Sequence, residues 1–554
     1  MKVKKIRPNG VLRTLTLDDG AGERTLTITR STRVRDDDEI EERDGIYSVI
    51  CHNGKAQIYP IYDCEEIVRI GSLRLPLRIK EPTTQQEVDD VTDLKRFHYL
   101  SANSIPLTTL VVTTNDSNLP HTLGYVVLVS PLQACAPRGL IVQRLYGKKI
   151  ASTWFAMRIA RVVVHPEFRG INLAKILFKH AIEFSKTHWS VAGSKPLLAE
   201  AVAEMFKYVP FPLGVGMHYL GETAGAMRYA PNVVKCVFKG KGNSGISDYW
   251  RVYKERVLQV AQRLGVSPEQ VVEKIQHMDE LPPEERIELF GVLTSPKPFY
   301  AIGLNEEVES VVKELAQDPA RYIAPVKSLR ISEPISFEHV QMNFSEQSDI
   351  TERTVAIQAA FGVSPKSYEN LVLKNLTLSI PQGAIVLLRG LSGSGKTIVL
   401  RMIRGELQHT NGTIKFPDNA KVKELASIES DECLIELVGN SLQDALFALN
   451  KVGLAEAKLY LKRYRTLSSG QKYRACLAKL VDSDANIWIA DEFCSMLDSI
   501  TANIVAHRTQ RHVRECGITM IVACANPDTY LDALNPDIII DLSAGVTRII
   551  KGIA

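Results

Sequence analysis

Residues 390–397 read Gly-Leu-Ser-Gly-Ser-Gly-Lys-Thr, with Ala384-Ile385-Val386-Leu387-Leu388 before them and the apolar run Ile398 to Ile403 after. The first run reads as a buried strand and the second as a helix. A strand, a glycine-rich turn and a helix together make a phosphate-binding loop. Gly390, Gly393 and Gly395 let the backbone curl, so that the N–H groups of the loop, including those of Ser392 and Ser394, face phosphate oxygens. Lys396 is placed to reach the terminal phosphates, and the Thr397 hydroxyl to ligate Mg²⁺. The last third of the chain is therefore expected to be an α/β P-loop domain.

The companions of that loop follow in order. Leu467-Ser468-Ser469-Gly470-Gln471 comes first, then the apolar strand Ile487-Trp488-Ile489-Ala490 ending in Asp491-Glu492, then Ser495-Met496-Leu497-Asp498. Asp491 suits a water-mediated Mg²⁺ contact, and Glu492 suits polarisation of an attacking water.

This set resembles the ATP-binding cassette (ABC) family over about residues 335–554. The resemblance implies an ATPase using ATP and Mg²⁺. It also implies that Ser468 and Gly470 of one subunit meet the γ-phosphate held by Lys396 of the other, with Gln471 part of the same ATP site. One cassette per chain then implies a homodimer with two ATP molecules between the subunits. Tyr368, just before Leu371-Val372-Leu373, is a candidate for stacking on adenine, with an ordinary core or surface tyrosine as the alternative. The family usually carries a His after the next strand, here Ile518 to Val522. The matching position is Ala525, which has no side-chain donor, followed by Asn526. ATP binding with slow hydrolysis is the resulting expectation.

A second informative segment spans residues 158–184. Arg158 to Val164 reads as a buried strand, His165-Pro166-Glu167-Phe168-Arg169-Gly170-Ile171-Asn172-Leu173-Ala174 as a turn, and the residues beyond as an amphipathic helix. Leu173, Ile176, Leu177, His180, Ala181 and Phe184 share one face of that helix at 3/4 spacing. N–H groups at such a helix start can hold a pyrophosphate. An ordinary α/β strand–turn–helix is the alternative. The segment resembles the acyl-CoA site of the GNAT acyltransferase superfamily, with Asn172 where Gly is usual. Asn accepts left-handed backbone more readily than most residues. The resemblance implies acyl-CoA held by Val163, Val164, Arg169, Gly170, Asn172 and Ala174, acetyl-CoA or another.

Leu123 to Val129 and Pro196 to Val202 read as flanking strands of the same domain, and Phe206 to Met217 as its closing segment. Within that superfamily, Phe97-His98-Tyr99-Leu100 resembles the Mom family of phage DNA-modifying enzymes, which act on the exocyclic amine of adenine. The order of these segments also resembles a group of prokaryotic chains in which an acyltransferase-like domain precedes an ABC ATPase. His98 is a candidate proton acceptor near neutral pH. Tyr99 is a candidate donor to a leaving thiolate or an orienter of the base, and Glu200 an alternative base. A structural role for the His-Tyr pair and stacking on a flipped base both remain open.

Composition sets the outer limits. At 554 residues the chain has room for two to four domains. Its 45% hydrophobic and 23% charged content is ordinary for globular proteins. There is no run of about 18 apolar residues, so no transmembrane helix is expected. The start, Met1-Lys2-Val3-Lys4-Lys5, leads into no apolar signal core. The 9 cysteines are an odd number without C-x-x-C pairing, which points to reduced thiols in a cytoplasmic protein. A net charge of +4 is too mild to argue for nucleic acid by itself.

The expected fold class is α/β multidomain: residues 1–84 a small β-rich module, 85–240 a GNAT-like acyltransferase domain, 241–334 a helical linker, and 335–554 the ABC ATPase. The module rests on alternating segments such as Leu12 to Leu17 and on turns at Asp19-Gly20 and Asn53-Gly54. The linker rests on a stripe of Trp250, Tyr253, Val257 and Val260 and on the capping box Ser267-Pro268-Glu269-Gln270. The functional expectation is a soluble ATPase fused to a transferase that modifies a nucleic acid, preferentially DNA, away from any membrane. Three alternatives stand beside it: an N-acetyltransferase for protein, tRNA or a small amine; an ABC ATPase with a degenerate transferase domain; and an energiser of a separate transporter.

Overall fold

The computed structural model describes residues 1–97, 107–131, 135–147, 154–223, 257–277, 280–289, 296–323, 325–346, 349–362, 368–542 and 547–551. The N-terminal module has two three-stranded antiparallel sheets. One holds β1 (Lys2–Asn9), β2 (Leu12–Asp18) and β3 (Glu23–Thr29); the other β4 (Ile40–Arg43), β5 (Ile46–Cys51) and β6 (Gly54–Tyr59). Leu15, Leu17, Ile28, Val49 and Ile58 meet in its core, as period-two alternation requires. At the first turn, Asp19 Oδ1 accepts from the N–H groups of Ala21 and Gly22.

The module ends earlier than residue 84. β7 (Asp63–Ile70) and β8 (Leu73–Lys80) form a hairpin that joins the next unit, because β8 pairs antiparallel with β9 (Thr108–Thr113). Leu75, Leu77 and Ile79 line the core side of that strand. After α1 (Gln85–Leu94) the unit continues with β9, β10 (Thr122–Val129), α2 (Ala136–Tyr146), β11 (Ala156–Val164), α3 (Leu173–Thr187), β12 (Leu198–Val202) and β13 (His218–Glu222). The expected linker contributes α4 (Pro268–Gln276), α5 (Pro283–Leu289), β14 (Pro298–Gly303) and α6 (Glu306–Glu314). Its capping box is present at Ser267 and Gln270. However, β14 is no linker: it lies between β12 and β13, antiparallel to both. Phe299, Tyr300 and Ala301 are fully buried there. The result is one eight-stranded sheet in the order β13-β14-β12-β11-β10-β9-β8-β7. Trp250, Tyr253 and the boundary at 240 lie outside the described residues.

The C-terminal unit begins with β15 (Ile335–Glu346), α7 (Glu352–Phe361), β16 (Tyr368–Ile380), β17 (Ile385–Arg389), α8 (Lys396–Ile403), β18 (Asn411–Lys415) and β19 (Val422–Glu424). A helical segment follows: α9 (Leu442–Lys451), α10 (Ala457–Tyr460) and α11 (Ser469–Val481). Then come β20 (Ile487–Ala490), α12 (Ser499–Cys516), β21 (Thr519–Cys524), α13 (Leu531–Leu534), β22 (Ile538–Asp541) and β23 (Arg548–Lys551). Six strands form a sheet in the order β19-β20-β21-β17-β22-β23, parallel except for the last pair. Successive residues of β17 feed opposite cores: Ile385 and Leu387 enter one, Val386 and Leu388 the other. A sheet covered on both faces requires this, and it explains the unbroken apolar run.

One core cluster extends from the eight-stranded sheet into the cassette. At the tip of the β7–β8 hairpin, Gly71 has φ +61° and lies against the Ala533 backbone of α13, with no room for a Cβ. Among the described residues no helix is long and apolar enough to cross a membrane.

Candidate nucleotide and donor sites

β17 delivers the chain into the phosphate loop, where Gly390, Gly393 and Gly395 have φ of +153°, +78° and +97°. α8 starts at Lys396, directly after the left-handed Gly395. The Lys396 side chain is buried and donates to the carbonyls of Gly390 at 2.8 Å and Leu391 at 3.0 Å, so its ammonium is aligned within the loop. The Ser394 hydroxyl is buried with no hydrogen-bond partner among the described residues. Thr397 Oγ1 donates to Asp491 Oδ2 at 2.6 Å. That pair brings together, from α8 and from the end of β20, the hydroxyl and the carboxylate an Mg²⁺ ion would need. The loop therefore fits a nucleoside triphosphate with its metal.

Glu492, next along, has φ +47°, and Cys494 has φ +58°. Non-glycine residues there carry strain that the surroundings must hold. Two phenols hold it. Tyr473 Oη accepts the Cys494 N–H at 2.8 Å, and Tyr530 Oη donates to the Phe493 carbonyl at 2.6 Å. Ser468 is the N-cap of α11 and forms a capping box with Gln471. It is exposed, and Leu391 and Met496 are exposed by 75% and 69%. Two large apolar side chains bare at the phosphate loop and just past Glu492 mark a surface suited to a partner. Ala525 and Asn526 follow β21 and are exposed.

The second site lies in the eight-stranded sheet. β11 and β12 pair in parallel only from Ala156–Leu198 to Ile159–Ala201. Beyond Ile159, β11 keeps its pairing with β10 as far as Val164 but leaves β12. A cavity of about 470 Å³ opens in the gap, lined by Ile159 to Val164, Phe178, Phe206 and Phe211. The three phenylalanines pack edge to face. At its mouth stands the Arg169–Ala174 loop. Gly170 has φ +95°, and Asn172 sits left-handed at φ +67° as the N-cap of α3. The first backbone bond from the helix start is Ile176 N–H to the Asn172 carbonyl, 3.0 Å. The N–H groups of Leu173, Ala174 and Lys175 precede it and are open to a ligand. The largely apolar slot and these N–H groups lie at one cavity.

The cassette closes over this mouth. Arg169 donates to its own strand at Val164 O (3.1 Å) and across to Ala455 O (2.8 Å), with Glu456 at 3.8 Å. From α12, Arg508 donates through Nε to the Lys451 carbonyl at 2.7 Å and through Nη2 to that of Asn450. Its Nη1 lies on Gly170, where a Cβ would overlap it. Burial pushes the Arg508 pKa down to about 10, with Arg511 and Arg474 adding repulsion. Burial likewise lowers Arg169 and Arg474. No sequence motif announces Arg508; only its position on α12 against the loop reveals it.

Glu200 requires a correction. It is fully buried and held by Arg138 at 2.9 Å and Arg158 at 2.6 Å. It does not line the cavity. A carboxylate locked between two guanidiniums is unsuited to act as a base, so its place is structural. His98 and Tyr99 lie outside the described residues; Phe97, which precedes them in the sequence, lines the cavity. Tyr368 is placed only as the first residue of β16.

The fold and the paired loop, Asp491 and Ser468 elements define a P-loop ATPase of the cassette class. Residues 373–495 match the family described as ABC transporter. The cytochrome c biogenesis ATP-binding export protein CcmA of Gluconobacter oxydans (strain 621H) is 34% identical over 155 residues, 26% of this chain and 71% of that protein. The protein of the same name from Legionella pneumophila is 27% identical over 173 residues, 28% of this chain and 86% of that one. A dimeric ATP-binding cassette in a post-hydrolysis state with ADP and Pi is covered to 98% by 39% of this chain, at 22% identity and a TM-score of 0.31. The chain belongs to the ABC transporter family through its C-terminal cassette.

Proposed function

We propose that this chain is a homodimeric ATPase whose cassettes operate a GNAT-like transferase unit. ATP and Mg²⁺ are held by the loop from Gly390 to Thr397 with Asp491, Glu492 polarises the attacking water, and Ser468, Gly470 and Gln471 complete the site on the other subunit. Acyl-CoA is the donor, held by Val163, Val164, Arg169, Gly170, Asn172 and Ala174. The acceptor is an amine, and the Mom-like segment at His98-Tyr99 selects the exocyclic amine of adenine in DNA. The amine nitrogen attacks the acyl carbon, the C–S bond breaks, His98 takes the amine proton and Tyr99 protonates the departing thiolate.

The observation that carries this reading is the parting of β11 from β12 after Ile159, with an apolar cavity that runs to a helix start. Parallel neighbours normally stay paired along their length, and unpaired strand edges are disfavoured inside a protein. A gap here exposes β11 N–H and C=O groups to whatever fills the slot.

The test is mass spectrometry of nucleosides from cells expressing the intact chain, beside cells expressing Arg169→Ala. A new adenosine-derived mass in DNA, present only with the intact chain, is the expected result. An unchanged DNA profile refutes DNA as the acceptor. Acetyl-CoA transfer to a peptide, tRNA or small amine by the purified protein would then identify it as an N-acetyltransferase.

A further inference from the structure

The mouth of the donor cavity is built from two units of the chain. From the eight-stranded sheet come the left-handed Gly170 and Asn172 and the first N–H groups of α3. From the cassette come Arg508 and Arg511 of α12 and Lys451 at the end of α9. We propose that the cavity is one composite site for a phosphate-bearing carrier, in which the cassette's Arg508 and Arg511 ligate the phosphates while the sheet holds the apolar arm. This deepens the donor assignment made above and rests on it.

The arrangement of Arg508 is the main support. Two of its three nitrogens are spent on the carbonyls of Lys451 and Asn450, which end α9. Those bonds fix the plane of the guanidinium and leave Nη1 at Gly170, three residues before α3 begins. A guanidinium held in one orientation loses little entropy on meeting a phosphate. Among the described residues no carboxylate forms an ion pair with Arg508.

Charge around the mouth points the same way. Arg161, Arg169, Lys175, Lys451, Arg508 and Arg511 all line the cavity, and Glu515 is the one carboxylate among the lining residues. Glu515 is engaged by Lys451 at 2.8 Å and faces Arg511 at 4.0 Å. Glu456 lies by Arg169. Arg508 and Arg474 repel each other at partly buried positions. Gathering cations away from water is costly, and a polyphosphate offsets that cost. The cavity lining thus combines phenylalanines with cations. A ligand that fits both has an apolar or amide arm and a phosphorylated head.

The intact chain decides the question by calorimetric titration with acetyl-CoA and with S-acetyl-pantetheine, which lacks the phosphates. In Arg508→Gln, acetyl-CoA affinity is expected to fall by about tenfold to a hundredfold, the worth of a charge-assisted bond. S-acetyl-pantetheine affinity should stay within about twofold, since it makes no phosphate contact. Equal acetyl-CoA affinity in Arg508→Gln and the unsubstituted chain overturns the composite site. Binding of neither probe by the unsubstituted chain overturns the donor assignment instead. Arg508 also caps α9, so retention of Mg·ATP binding serves as the folding control. If that control fails, Arg511→Gln, at an exposed position, decides: a loss of about threefold or more supports the site, and an unchanged affinity overturns it.

Discussion

Glu200→Gln separates structure from chemistry at the centre of the eight-stranded sheet. Glu200 is 0% exposed, and its two oxygens take Arg138 Nη1 at 2.9 Å and Arg158 Nη2 at 2.6 Å. Arg138 is itself 3% exposed and the Arg158 side chain 13%, so Arg138 cannot turn to solvent without moving α2. The amide keeps the shape and one acceptor but removes the charge, leaving two cations facing each other at strand β12. Breaking a buried pair by neutralising one partner costs about 3–5 kcal/mol. For a unit of this size, each kcal/mol lowers the melting temperature by roughly 2–4 °C. The expected drop is therefore about 6–20 °C for the unit containing the sheet. Differential scanning calorimetry of the purified variant reads it. The same preparation should keep any transfer activity per folded molecule, since Glu200 does not reach the cavity. A variant that melts within about 1 °C of the parent but has lost transfer would refute this reasoning and restore Glu200 as a catalytic base.

Two further outcomes follow from the cassette. Glu492→Gln removes the carboxylate expected to activate water while leaving Lys396, Thr397 and Asp491 in place, so Mg·ATP should hold a dimer that light scattering on a sizing column resolves; a monomer at saturating ATP would count against the sandwich. His512 is buried on α12 against Trp488, with its pKa pushed down to about 4 by burial first and by Lys451 next, Glu515 opposing. A histidine depressed in the folded state stabilises fully above its ordinary value of 6.5 and loses that contribution as pH falls through about 4. The drop is worth at most about 3 kcal/mol, so His512→Leu should flatten the fall of melting temperature between pH 7 and pH 4.5; an unchanged slope would refute the assignment.

The cassette was legible in the sequence because its chemistry is carried by short contiguous motifs. The loop at 390–397 must sit between a strand and a helix to work, and Asp491 must end a strand. Each motif therefore predicts its own surroundings, and β17, α8 and β20 lie where those motifs demand. The strand–turn–helix at 158–187 was legible for the same reason, including the left-handed Asn172. Domain edges were not. The β7–β8 hairpin looks like part of the N-terminal module because its alternation is the same, and only its pairing with β9 assigns it to the larger sheet. β14 was lost inside a helical stretch because six residues carry no periodicity that separates strand from helix.

The composite mouth lies beyond any motif for a different reason. Arg508, Lys451 and Gly170 are separated by up to 338 positions (508 − 170) in the sequence, and each is unremarkable in its own neighbourhood. Arg508 belongs to a polar face of α12 that would be read as solvated. What turns it inward is docking: the β7–β8 hairpin on α13, and Arg169 on the Ala455 carbonyl. The same helix begins at Asp498, whose side chain caps it by accepting from the N–H groups of Ile500 and Thr501. Asp498 closes the segment that starts at Glu492. An 18-residue helix rises about 1.5 Å per residue, so Arg508 stands roughly 15 Å along α12 from Asp498. A displacement at the head of α12 on ATP binding would reach Gly170 through Arg508 if the helix moved as a unit. In thermodynamic terms, any donor that binds Arg508 then shifts ATP affinity by the same factor as ATP shifts donor affinity. Arg508 on α12 is thus a contact through which the two proposed sites would be joined.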